Sequence, residues 1–105
     1  MPKRIRVAKK EDIPEGKAKL LFFQGREVAL FRMGDEFFAL DNRCPHQGGP
    51  LGEGHLDGES VICPWHHWDF HLKTGQSRIG PEVCVKTYLV ELENEEIYLV
   101  DQKSN

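Results

Sequence analysis

The chain has 105 residues, and its 14 lysines and arginines against 17 aspartates and glutamates leave a formal net charge of −3. That balance excludes the basic surplus of a nucleic-acid binder and gives no attraction to an anionic membrane. No apolar run exceeds four residues, which excludes a transmembrane helix, and the basic opening Lys3-Arg4-Ile5-Arg6 lacks the apolar stretch of a signal peptide. The chain therefore reads as a single cytoplasmic domain over residues 1–105. The first predicted element is a helical turn around Glu11 to Ile13, stopped by Pro14. Short apolar runs separated by turn residues follow: Leu20–Phe23, Val28–Phe31 and Phe37–Leu40, divided at Gln24-Gly25 and Gly34-Asp35. A second series comprises Ser60–Ile62 after Asp57-Gly58, Trp68–Phe70 before Thr74-Gly75, and Val83–Glu91 turning at Asn94-Glu95 into Ile97–Val100. Runs of this length and spacing predict an all-β sandwich or small barrel with very little helix. The phenylalanines at 22, 23, 31, 37, 38 and 70 fall on these strands and are expected in the core.

The middle of the chain breaks this rhythm. Between Arg43 and Gly58 it holds five glycines with Pro45 and Pro50, a density that predicts close-packed loop. On either side of this stretch sit Cys44-Pro45-His46 and, after sixteen residues, Cys63-Pro64-Trp65-His66. An odd count of three cysteines argues against a disulfide framework and towards metal or redox use. Thiolate and imidazole suit zinc, copper and iron–sulfur centres. Structural zinc takes its cysteines from one clip and its histidines from another, whereas here each clip offers one of each. A [2Fe–2S] cluster with two cysteines on one iron and two histidines on the other fits better.

The segments Cys44-Pro45-His46-Gln47-Gly48-Gly49-Pro50-Leu51 and Cys63-Pro64-Trp65-His66-His67-Trp68-Asp69-Phe70, followed by Thr74-Gly75, resemble the two cluster-binding boxes of Rieske proteins. The likeness is to Rieske-type ferredoxins of bacterial oxygenase systems and to the small subunit of assimilatory nitrite reductase. It implies an antiparallel β-sandwich with a small cluster-binding subdomain at about 43–75. It also implies one [2Fe–2S] cluster, with Cys44 and Cys63 on the inner iron and His46 and His66 on the outer one. High-potential relatives carry an extra cysteine in each box, joined as a disulfide, and a serine that hydrogen-bonds a bridging sulfide. The matching positions here are Gly49, Trp65 and Trp68. His67 stands where many relatives have glycine; if that backbone needs a positive φ, histidine is tolerated there at some cost, and His67 is not counted as a ligand because the two clips already supply four.

The implied function is one-electron transfer from a flavin- or NAD(P)H-linked reductase to a terminal oxygenase, with no catalysis by the chain alone. The alternatives are the small subunit of NAD(P)H nitrite reductase, beside its large subunit, and a zinc-stabilised interaction module. A complete oxygenase is not expected, because its further catalytic domain would not fit in 105 residues. Cys84, between two valines, is expected to be a buried, inert thiol, although a cysteine before Lys86-Thr87-Tyr88 hints at the nitrite reductase branch. His55 and His71 are expected at the surface or behind the site. Trp65 and Trp68 are expected to shield the cluster. The acidic run Glu91–Glu96 reads as a solvated hairpin that could bias docking to a basic partner.

Overall fold

The computed structural model describes residues 3–45, 48–65, 67–80 and 82–101. Among the described residues, ten strands form three antiparallel sheets. The first sheet is β1 (Lys3–Lys9), β10 (Glu96–Asp101) and β9 (Val90–Glu93), in that order. The second is β2 (Ala18–Phe23), β3 (Arg26–Met33), β4 (Glu36–Asp41) and β8 (Thr87–Tyr88). The third and smallest is β5 (His55–Asp57), β6 (Ser60–Ile62) and β7 (Asp69–His71). Two 3₁₀ turns, Lys10–Asp12 and Leu51–Glu53, are the helical elements among the described residues, as the low helix content predicted requires.

The middle sheet is covered on both sides, which explains why Val28–Phe31 and Phe37–Leu40 are continuously apolar instead of alternating. Side chains of successive strand residues point to opposite faces. Val28, Leu30, Phe37 and Ala39 meet Ile97, Leu99 and Ile13 on one side. Ala29, Phe31 and Leu40 meet Cys44, Leu51, Val61, Cys63, Phe70 and Leu72 on the other. Both sequence-predicted thiols thus belong to the core that fastens the third sheet to the second.

The β2–β3 hairpin closes through Gln24-Gly25, both left-handed at φ 55° and 79°, between the paired Phe23 and Arg26. This is the two-residue turn whose twist matches that of the strands. Phe22, expected in the core, is instead 71% exposed, because β2 is an edge strand and its face is covered at Ala18 but left open at Leu20 and Phe22. Phe23, Phe31, Phe37 and Phe70 are buried as expected.

Strand β1 escapes the hydrophobic pattern because Ala8 is its one buried residue among the seven. Pairing to β10 and side-chain charge hold it: Arg4 bonds Glu93 and lies 3.6 Å from Glu91, while Arg6 bonds Glu96. The acidic hairpin is therefore largely matched by the chain's own arginines. The predicted Val83–Glu91 strand is interrupted, since β8 pairs in the second sheet and β9 in the first, and the chain changes sheets at exposed Leu89.

Candidate metal centre

Cys44 follows β4 and Cys63 follows β6, so each thiol leaves the end of a strand anchored in the same core. Both are buried, at 2% and 0% exposure, and neither is in a disulfide. The two loops are closed alike. The Cys44 N–H donates to the Gly49 carbonyl at 2.8 Å, and the Cys63 N–H donates to the Trp68 carbonyl at 2.7 Å. In each loop the cysteine N–H thus reaches the carbonyl five residues ahead. The residue before that carbonyl is left-handed in both: Gly48 at φ 77° and His67 at φ 58°. His67 is the backbone counterpart of Gly48, which gives the sequence's histidine-for-glycine departure its physical meaning. It is exposed. Glycine relieves the steric cost of this conformation at a smaller cost in chain entropy. His67→Gly should therefore raise stability by about 0.5–1 kcal/mol and leave iron content unchanged. Denaturant titration and iron analysis of the purified variant check both, and a colourless His67→Gly protein would instead make His67 a ligand.

The two thiols face each other. Burial raises the pKa of the Cys63 thiol and the neighbouring Cys44 adds to the rise, while the Trp65 backbone N–H opposes it. Two adjacent buried thiolates need a compensating cation, and coordination to a metal deprotonates a thiol outright. The space around them is made by Gly49, where a Cβ would lie 2.8 Å from Cys63 Sγ and 3.1 Å from ring carbons of Trp65. The positions that carry the extra disulfide in high-potential relatives thus meet in this fold as glycine against indole. Trp65 is half exposed, and Trp68 packs partly buried against the core containing both cysteines. His46 and His66 lie outside the described residues, as does Gln47. Among the described residues no group of three or more histidine, cysteine or acidic side chains converges, so the buried cysteine pair is the described part of the centre.

Polar residues ahead of the first box position it, and the sequence reading missed them. Buried Asn42 accepts from the Gly52 N–H at 2.7 Å through Oδ1, donates to Glu27 at 3.4 Å, and its own carbonyl accepts from Leu51 N–H at 2.6 Å. It fastens the glycine-rich stretch to β3. Asp41 is buried too, and accepts from Tyr88 Oη at 2.5 Å and from Arg26 at 2.5 and 3.2 Å. Burial alone would raise the Asp41 pKa, but the Arg26 and Tyr88 hydrogen bonds, with the charges of Arg26 and Lys86, outweigh it and hold it below the ordinary value. Tyr88 is pushed upward by burial and by its bond to that carboxylate. A signal was present in Asp41-Asn42, two polar residues directly after an apolar strand.

A carboxyl with a depressed native pKa contributes stability above its unfolded pKa, about 3.9, and that contribution is lost as pH falls through the native value. Asp41→Asn should therefore melt well below the parent protein at pH 7, with the gap narrowing as the solution is acidified below about pH 4. Melting temperature against pH measures this, and a gap independent of pH would show that the Asp41 charge contributes nothing.

Downstream, Asp69 accepts from Ser77 Oγ and the Arg78 N–H, both at 3.2 Å, and pairs with Arg78 Nε at 3.0 Å. His71 accepts the Lys73 N–H at Nδ1, which leaves Nε2 to donate to Glu59 at 3.2 Å. His55 is exposed. Cys84, expected to be buried, is exposed, because residues 83–86 are not a regular strand and touch Gln76 through a single bridge at Cys84.

Two strand-borne loops, each placing a buried thiol beside the other, define a class of all-β metal-binding domain. Residues 3–89 match the family model for the Rieske [2Fe-2S] domain, and the chain belongs to that family, whose cofactor is one [2Fe–2S] cluster. It is 36% identical over 90 residues to the ferredoxin component of the naphthalene 1,2-dioxygenase/salicylate 5-hydroxylase systems of a Ralstonia species, covering 85% of this chain and 86% of that one. It is also 36% identical over 98 residues to the 3-phenylpropionate/cinnamic acid dioxygenase ferredoxin subunit of Shigella boydii, covering 91% and 92%. Among solved structures, the ferredoxin of carbazole 1,9a-dioxygenase from Nocardioides aromaticivorans superposes with TM-score 0.85 at 30% identity over 95% of this chain and 98% of that one. A proposed NADH-dependent nitrite reductase small subunit from Mycobacterium tuberculosis reaches TM-score 0.91 over 99% of both chains, at 20% identity, a likeness of fold. The fold expectation, an antiparallel all-β Rieske architecture, is met.

Proposed function

We propose that the chain is a cytoplasmic one-electron carrier that takes electrons from a flavin- or NAD(P)H-linked reductase and delivers them to a terminal oxygenase. The observation that carries this reading is the pair of buried, facing thiols in matched loops, in a chain similar over most of its length to ferredoxin components of dioxygenase systems. In this proposal Cys44 and Cys63 hold one iron, His46 and His66 hold the other, and residues 43–75 form the cluster-binding subdomain. The cluster supplies reversible one-electron redox chemistry when bound. The chain's own part is to keep the thiolates in a dry core, to close both loops by backbone hydrogen bonds, and to brace the first loop through Asn42. The nitrite reductase reading is second: its support is the shared fold and the cysteine before Lys86-Thr87-Tyr88, while the relatives described above at 30% identity or more are oxygenase ferredoxins.

The proposal predicts the redox poise. There is no disulfide across Gly49 and Trp65, and Trp68 offers no hydroxyl, so fewer donors stabilise added negative charge. The midpoint should lie near the low end of the Rieske range, around −150 mV. Reduction adds negative charge and raises the pKa of liganding imidazoles, so the oxidised form sheds protons first as pH rises. The potential should be flat near neutrality and fall in alkaline solution. Protein-film voltammetry reads both; a midpoint above about +100 mV contradicts the low-potential carrier, and indifference to alkaline pH contradicts histidine ligation.

A further inference from the structure

A basic groove runs up to the first cysteine loop, and we infer that it docks a carboxylate-bearing surface of a redox partner protein. The hollow has a volume of about 460 Å³, and its wall includes Arg26, Arg43, Lys86, Asp41, Pro45 and Cys84. It continues past Arg26 and Arg43 into a second hollow of about 370 Å³, bordered by Phe22 and Glu27. Arg26, Arg43 and Lys86 are exposed, and Phe22 is the most exposed large apolar side chain described.

The charges facing the groove are unequal. The larger hollow has three cations to one carboxylate, on a chain of net charge −3. That carboxylate, Asp41, is committed to Arg26 and Tyr88. Glu27, which accepts from Asn42, brings a second negative charge to the edge of the smaller hollow, so the three cations of the whole groove face two carboxylates and the positive surplus lies in the larger hollow. Arg43 and Lys86 are exposed along the larger hollow, Lys86 with its Nζ 5.3 Å from the centre of the Tyr88 ring. Glu91, Glu93 and Glu96 lie elsewhere, in the first sheet on the far side of the middle one, and are largely matched by Arg4 and Arg6. The acidic hairpin is therefore a poor docking element, and the partner's complementary surface is acidic. An exposed aromatic side chain beside arginines is the usual make-up of a protein interface. Complementary charge of this kind steers encounter more than it adds affinity. Because Cys44, Pro45 and Gly48 form the groove's end, a partner seated there lies against the first ligand loop. The inference rests on the electron-carrier reading.

The test uses the oxidised and the dithionite-reduced holoprotein with small anions in place of the partner. Hexacyanochromate(III), a paramagnetic trianion, should broaden the amide signals of Arg26, Val85 and Lys86 before others in nuclear magnetic resonance spectra. Ferricyanide should oxidise the reduced protein several-fold faster at about 10 mM than at about 200 mM salt, despite the net negative charge. R43E/K86E should abolish the broadening and slow ferricyanide several-fold at low salt, with no slowing towards the cationic tris(phenanthroline)cobalt(III). Lys17→Glu, beyond the opposite end of β2 from Phe23, should leave both readouts as in the parent. Broadening centred elsewhere, a ferricyanide rate that rises with salt, or equal effects of R43E/K86E and K17E would overturn the proposal. A protein with no reducible chromophore would instead sink the electron-carrier reading, and the anion map would still decide the groove.

Discussion

Cys63→Ser is expected to yield a colourless protein without iron, and Cys44→Ser the same. Serine is a far poorer soft-metal ligand than thiolate. Neither loop has a disulfide to hold it once the metal is gone, and both cysteines sit in the core that joins the second and third sheets. Metal binding at such a site contributes directly to folding, so each variant should also melt at lower temperature than the holoprotein. Cys84→Ser is the control: its thiol is exposed, and the variant should keep full iron content and the parent spectrum. Iron analysis, visible absorption and thermal melting of the three variants decide the matter. Iron retained in Cys63→Ser would remove that residue from the centre.

Gly54→Ala should be strongly destabilising although it touches no ligand. A Cβ at Gly54 would stand 2.1 Å from the Ile62 carbonyl oxygen and 3.2 Å from that of Leu51. Backbone on both sides leaves nothing flexible to yield. Ile62 precedes Cys63, so the added methyl would push the glycine-rich stretch away from the strand that delivers the second thiol. Overpacking commonly costs 1–3 kcal/mol, and with backbone as the obstacle about 3 kcal/mol is expected. For a domain of this size that is a loss of more than about 10 °C in melting temperature. Differential scanning calorimetry measures it, and a shift below about 2 °C would show that the two segments can separate without cost.

The paired Cys and His motifs were legible because ligand chemistry restricts residue type and spacing so tightly. The strands of the middle sheet were legible for another reason: burial on both faces turns Val28–Phe31 and Phe37–Leu40 into unbroken apolar runs. Strand β1 was not legible, since its positions are mostly exposed and its pairing is held by β10 and by arginine–glutamate contacts distant in sequence. Strand β5 was hidden inside the glycine-rich stretch, where composition argues for loop although His55–Asp57 pairs with Ser60–Ile62. Phe22 and Cys84 were misplaced because period-two patterning cannot tell an edge strand or an irregular bridge from a buried one. The Asn42 clasp and the Asp41–Tyr88–Arg26 cluster depend on residues up to 47 positions apart, which no local pattern exposes.

Four ligands of two kinds are the centre of this account, and pulsed electron paramagnetic resonance on the dithionite-reduced protein tests them most directly. Two strongly coupled imidazole nitrogens are expected in the spin-echo modulation of the parent, with one lost in His46→Cys or His66→Cys variants that retain iron. A reduced cluster with no coupled nitrogen, or a colourless protein carrying zinc, would contradict the assignment of Cys44, His46, Cys63 and His66 to a Rieske centre.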